Sequence, residues 1–186
     1  MISTPLTLAS KGYSDFVKEK KVFEKLSNQI KKARNENMLI IHVRVGFDET
    51  YVQQPKDSPL FGKAHEFQAL KLNTWATEFH KELNIQKDDV IITKHRVNAF
   101  YSTELDLILK NNKIDTLYIA GVSTDLAVSS TVRDAHDRDY KVIVLEDCCA
   151  AASIEDHENS IKNLSKISKI KKSNSERQNK ENETEP

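Results

Sequence analysis

Three places in this chain carry residues able to do chemistry. Residues 116–135 read Thr-Leu-Tyr-Ile-Ala-Gly-Val-Ser-Thr-Asp-Leu-Ala-Val-Ser-Ser-Thr-Val-Arg-Asp-Ala. Leu117 to Ala120 form an apolar run, Gly121 breaks it, and Ser123, Thr124 and Asp125 are residue types that cap helix N-termini. This reads as a buried strand feeding a helix. In open α/β sheets such a strand end receives ligands, because the first NH groups of the helix are unpaired and can meet a developing negative charge. The same pattern also describes an ordinary strand-to-helix turn. The only cysteines are the neighbours Cys148 and Cys149, which lack the spacing of a zinc site and cannot build a disulfide framework. Of the histidines, His42 lies in an apolar run, while His80, His95, His136 and His157 are scattered over segments that read as surface helices and loops.

The elements that must position these groups follow from hydrophobic periodicity. From residue 15 or 16 to residue 34, Val22, Phe23, Leu26, Ile30 and Ala33 recur at spacings of three and four, which predicts an amphipathic helix. Residues 38–45 begin apolar throughout, as a strand buried on both faces of a parallel sheet does. Residues 46–62, with Pro55 and Pro59, read as a loop longer than a mere connection needs. A short helix is expected over 77–83, a strand over 89–94, and a helix over 103–111. The central strand and its helix follow to about residue 138, then a strand over 140–146 and a last helix over 153–170. Alternating strands and helices predict an α/β fold with a doubly wound parallel sheet and right-handed crossovers. Residues 1–170 form one domain in this reading. Residues 171–186 contain no aliphatic, aromatic or sulfur side chain that could repay ordering, so a disordered tail is expected there.

Composition narrows the partners. The 186 residues carry 28 basic and 28 acidic side chains, so no net field favours nucleic acid or an anionic membrane. No apolar run is long enough to span a bilayer, and the N-terminus lacks the pattern of a secretory signal. A cytoplasmic protein acting on a small molecule is the expectation.

Three segments together resemble the isochorismatase-like hydrolase superfamily. Lys94-His-Arg-Val-Asn-Ala-Phe100 resembles its Lys-x-x-x-Ser-Ala-Phe segment, with Asn98 in place of the serine. Residues 121–135 resemble Gly-Val-Ala-Thr-Asp-x-Cys-Val-x-x-Thr-Ala-x-Asp-Ala, and residues 142–147 followed by Cys-Cys-Ala-Ala match the next strand and turn. The resemblance implies a Rossmann-like three-layer α/β/α fold and hydrolysis of small amides, ureides or an enol ether. In the family's cysteine hydrolases the catalytic set is an Asp on the first strand, a Lys and a nucleophilic Cys. By position Lys94 is that lysine, and the peptide bond Val122-Ser123 is expected to be cis. The NH groups of Ser123 and Ala127 would then hold the oxyanion. Thr124, Phe47, Trp75, Phe100 and Tyr101, together with Arg44, are the expected walls of the substrate pocket.

Two departures matter. Ala127 stands where the family has its nucleophile, and a methyl group cannot attack a carbonyl. Cys148 and Cys149 follow the next strand and read as small residues packed at its end. The family's first strand, which lies between the strands that here are 38–45 and 117–120, has no counterpart ahead of residue 16. Asp15 reads as a helix cap. Those two neighbours must therefore pair directly, or residues 2–9 must fill the slot, or backbone groups are left without partners. The chain is either a truncated form or one whose site is abandoned. The nicotinamidase branch places an Asp-x-His pair after the second strand, and this chain has none there, so no metal is expected, and no cofactor. Two functions remain: a hydrolase working without cysteine, or a catalytically silent binder or oligomer-forming member of the family.

Overall fold

The computed structural model describes Val17 and residues 20–173 of the chain. Asp15, residues 2–9 and residues 174–186 lie outside the described residues. Helix α1 spans Val22–Asn35 and buries Val22, Leu26 and Ile30, the four-residue spacing that places all three on one face. Val17 is itself helical, but Lys21 at the N-cap of α1 is left-handed, so the expected helix is broken there and α1 begins at Val22. The capping Glu36 donates its NH to the Lys32 carbonyl and Asn37 donates to that of Arg34, and strand β1, Ile41–Val45, follows. It starts three residues later than the apolar run suggests.

Two single 3₁₀ turns, Trp75–Thr77 and Lys81–Leu83, replace the helix expected over 77–83. Strand β2 is Val90–Lys94 and helix α2 is Leu105–Asn111. Strand β3, Thr116–Val122, runs through Gly121 instead of stopping there; at φ 132° this position suits glycine and few others. A π-helical turn, Thr124–Val128, leads into helix α3, Ser129–Asp137. Strand β4, Lys141–Ala150, continues past Glu146, so both cysteines lie inside the strand and not after it. Helix α4, Ile154–Leu164, is shorter than expected because a fifth strand, β5, Lys169–Lys171, takes the end of the predicted helix and the first residue of the predicted tail.

The strands are parallel throughout, as the alternation of elements predicts, with helices against them. Among the described residues they form two sheets: β1 with β2, and β3–β4–β5. The strands 38–45 and 117–120 therefore do not pair directly. One apolar core nonetheless joins the two, from Ile41, Val43 and Ile92 to Ile119, Val144 and Leu145, with Leu26, Ile30, Val132 and Leu164 from the helices. The β3–β4 ladder changes register between Ile119, opposite Val144, and Gly121, opposite Cys149. No helix among the described residues is long and apolar enough to cross a membrane.

Beneath the start of β2, Asp89 accepts two bonds from Arg34 at the end of α1 (3.0 and 2.7 Å) and lies 3.1 Å from His42 Nε2 on β1. His42 is fully buried, and burial lowers its pKa against the opposing bond to Asp89. This clamp ties one helix to two strands and makes His42 a core residue. The long loop after β1 packs on itself: Phe47, Tyr51, Phe61, Ala64 and Leu70 form a separate cluster, and Tyr51 donates its hydroxyl to the Ala69 carbonyl at 3.0 Å.

Candidate functional site

The site grows from two connections, one after β2 and one after β3. At the second, the chain leaves Val122 through a cis peptide to Ser123, as the resemblance implies. Ser123 is extended, and its carbonyl accepts from the NH of Val128 at 3.0 Å, five residues on. This wide turn is one that the capping residues Ser123, Thr124 and Asp125 do not announce, and such π turns concentrate at functional sites. Their side chains do not act as caps. Ser123 makes no capping bond, Thr124 Oγ1 instead lies 2.9 Å from His157 Nδ1 on α4, and Asp125 Oδ1 is buried without a hydrogen-bond partner among the described residues. Ala127 sits inside the turn, 7% exposed, with Val128 buried beside it.

The first connection carries Lys94, the last residue of β2. It is only 1% exposed, and its Nζ donates to the Val97 carbonyl within its own loop. Burial lowers its pKa to about 8. No ion pair with a carboxylate is formed by Lys94 among the described residues. The loop that follows is fixed against α3 at two points. Asn98 Nδ2 donates to Asp134 at 2.7 Å, and the Ala99 NH donates to Thr131 Oγ1 at 3.1 Å. Asn98 Oδ1 also accepts from the Phe100 NH at 2.7 Å, so this asparagine closes its own turn while holding the neighbouring helix. His95 Nδ1 reaches the Gly46 carbonyl at 2.7 Å, and Arg96 donates to the Gln53 carbonyl at 2.9 Å, which ties the Lys94 loop to the long loop as well.

The expected pocket residues scatter. Phe47 is wholly buried in the loop's own cluster, and Phe100 lies in the main core, stacked on Tyr140 with Arg138 over its face. Both are packing residues in the first place. Trp75 and Tyr101 are 75% and 58% exposed. Arg44 donates to Thr93 Oγ1 and is not buried. Thr124, Ser123, Ala127 and Thr131 do lie on one turn and its helix. His157, read as a surface residue from its sequence position, is half-buried against this turn, and burial lowers its pKa. Only the contact with Thr124 reveals it, because the two stand 33 residues apart.

The cysteines offer no replacement nucleophile. Cys148 and Cys149 are buried in β4, and burial first, with Asp147 nearby, raises both thiols, Cys149 to about 12. Neither is a thiolate near neutral pH. The two connections thus carry a turn of backbone NH groups, a buried lysine within reach of losing its proton, and the methyl group of Ala127 inside the turn. That set can hold a carbonyl or carboxylate oxygen and stabilise negative charge on it.

Comparison with known proteins bears on the family and the fold. The model of the isochorismatase domain matches residues 8–172. An uncharacterized isochorismatase family protein, YecD of Escherichia coli O157:H7, is 35% identical over 136 residues, 72% of this chain and 69% of that protein. The ureidoacrylate amidohydrolase RutB of Acinetobacter baylyi is 28% identical over 163 residues, 81% of this chain and 66% of its own. The chain thus spans about two thirds of the length of these curated relatives. Among solved structures, an isochorismatase-like hydrolase from Alkaliphilus metalliredigens superposes with a TM-score of 0.70 at 31% identity, covering 84% of this chain and 80% of that one.

Proposed function

We propose that this chain, which belongs to the isochorismatase family, binds a small amide, ureide or enol-ether substrate at the turn after β3 and hydrolyses it without a covalent intermediate. The observation that carries this reading is Ala127, a methyl side chain buried inside the turn, at the position that the sequence resemblance aligns with the family's nucleophile. Acyl transfer through a cysteine is thereby removed. Hydrolysis of an enol ether needs no nucleophilic side chain; it needs a proton delivered to the substrate and a water that follows. The NH groups of Ser123 and Ala127 hold the carbonyl oxygen of an amide or ureide, or a carboxylate of an enol-ether substrate away from the cation that protonation creates, and Lys94, cationic at neutral pH, pairs with that negative oxygen. The amide and ureide classes rest on the relative described as a ureidoacrylate amidohydrolase.

A second reading, binding without turnover, is favoured by one observation: among the described residues no carboxylate faces Lys94 to share a proton with it. Product formation from a panel of amides, ureides and isochorismate separates the two. Turnover of an enol ether that is abolished in Lys94→Ala supports the first reading. Tight binding of a carboxylate ligand with no product supports the second, and turnover indifferent to Lys94→Ala removes the lysine from both.

A further inference from the structure

The turn after β3 runs without a break into α3, so residues 124–137 form one helical stretch whose first NH groups lie at the candidate site. Its first residue, Thr124, is fully buried, and a buried hydroxyl requires a partner. Threonine at a helix start ordinarily finds one close by, in an NH group two or three residues on, which here means Leu126 or Ala127. Instead, Thr124 Oγ1 lies 2.9 Å from His157 Nδ1 on α4. The start of α4 brings the imidazole there. Ser153 caps this helix by accepting from the Asp156 NH at 3.0 Å, and the His157 NH donates to the Ser153 carbonyl at 3.1 Å, which sets the ring in the first turn. Burial keeps that ring neutral near pH 7, its pKa lowered from 6.5 against the raising pull of Glu146 on β4 and Glu158 beside it. A neutral imidazole and a hydroxyl make one hydrogen bond, whichever of them donates.

We infer that His157 is a positioning residue of the candidate site: by holding the Thr124 hydroxyl against α4, it leaves the NH groups of Leu126 and Ala127 to a ligand oxygen. The role rests on the reading of this turn as an oxygen-binding site, and it is the same for turnover or for binding alone. It is not the role of a general base. A hydroxyl and an imidazole at 2.9 Å have the spacing of a nucleophile and its base, but no surface of Thr124 is exposed, so no carbonyl reaches its oxygen. Without the imidazole, the hydroxyl has its nearest partners in the turn itself, and each NH group it takes is one fewer for the ligand. The contact also completes the fixing of the turn. The helix into which it runs is tied to the Lys94 loop through Thr131 and Asp134, and Thr124 ties its start to α4.

The test places a thiol in the turn of the full chain by Ala127→Cys and needs no substrate. Free NH groups at a helix start favour the thiolate, so the pH profile of alkylation by iodoacetamide, followed at position 127 by peptide mass spectrometry, reads whether they are available. In Ala127→Cys alone the thiol is expected to titrate below the ordinary value of about 8.5. Adding His157→Leu should raise that value by about one unit and slow alkylation at pH 7 roughly ten-fold. Adding Thr124→Val as well removes the hydroxyl that would fall onto the turn, and should return the profile to that of Ala127→Cys alone. Lost packing would not be repaired by a second loss, so this recovery separates positioning from bulk. A profile unmoved by His157→Leu overturns the role of His157, as does one that stays displaced after Thr124→Val. A thiol that titrates at the ordinary value or above in Ala127→Cys alone overturns the reading of the turn itself, and this role with it. Circular dichroism confirms folding of each variant, and where His157→Leu does not fold, His157→Ala takes its place in both comparisons.

Discussion

Asn98 and Asp134 meet at 2.7 Å, the amide of a loop residue donating to a carboxylate in the middle of α3. Through this bond the segment bearing Lys94 is held against the helix that begins at the candidate turn. Asp134 in turn receives Arg138 Nε at 2.6 Å, so the carboxylate serves the loop and the helix together.

Asn98→Asp places a second carboxylate against Asp134. The lost donor and the like-charge contact should lower stability by about 1–3 kcal/mol near neutral pH. Urea unfolding measures this, and the deficit should shrink on acidification, where the carboxyls take up protons. A deficit equal to that of Asn98→Ala at all pH values would show that charge plays no part.

Lys94 loses its proton at about 8 in the native state and near 10.5 when unfolded. Between these values the unfolded chain binds the extra proton, so stability rises with pH through that window. Below about 8 the buried ammonium costs its full amount, on the order of 3 kcal/mol. Lys94→Met should therefore be more stable than the parent near neutral pH, with the advantage fading towards pH 10.5. A difference that stays constant across the window would contradict the burial account.

His157 and His42 both have pKa values lowered by burial from 6.5. Below 6.5 the unfolded chain takes up protons that the native state refuses, so stability is complete above that value and falls as the solution is acidified. His157→Gln should flatten part of this loss in a series of unfolding curves, leaving the share owed to His42. An unchanged slope would show that His157 does not titrate differently on folding.

Cys148 and Cys149 should resist a thiol reagent in the native protein and react fully after unfolding, because burial keeps both protonated. Ala127→Cys should add a third thiol that reacts in the native state, and faster than the other two. Equal resistance of the new thiol would mean that the turn does not activate a nucleophile placed there.

Much of this architecture is readable from periodicity. Val22, Leu26 and Ile30 announce α1, and the apolar runs announce the cores of β1 to β4. What escapes is where context outweighs local pattern. Lys169-Ile170-Lys171 becomes a strand only because β4 presents an edge to it, and its two lysines read as tail. Asp147-Cys148-Cys149 looks like a strand end, yet β4 runs on through it to pair again with Gly121 and Val122. In the site, Lys94 and the turn at Ser123 are legible through family resemblance and not through spacing. His157 is legible through neither, since its role depends on how α4 packs.

The change of register in the β3–β4 ladder gives β4 a property of arithmetic. From Ile119 to Gly121 β3 advances two residues, while from Val144 to Cys149 β4 advances five, leaving three surplus residues, roughly 10 Å of strand. That slack contains Asp147, whose carboxylate takes both the NH and the hydroxyl of Ser173 at 2.8 Å. Because side chains alternate with a period of two, the slack is sensitive to parity. Removing one residue between Val144 and Cys149 exchanges the faces of Cys149 and Ala150, whereas removing two preserves them. An odd change in the length of this segment therefore turns the floor beneath the candidate turn inside out, and an even one leaves it in phase.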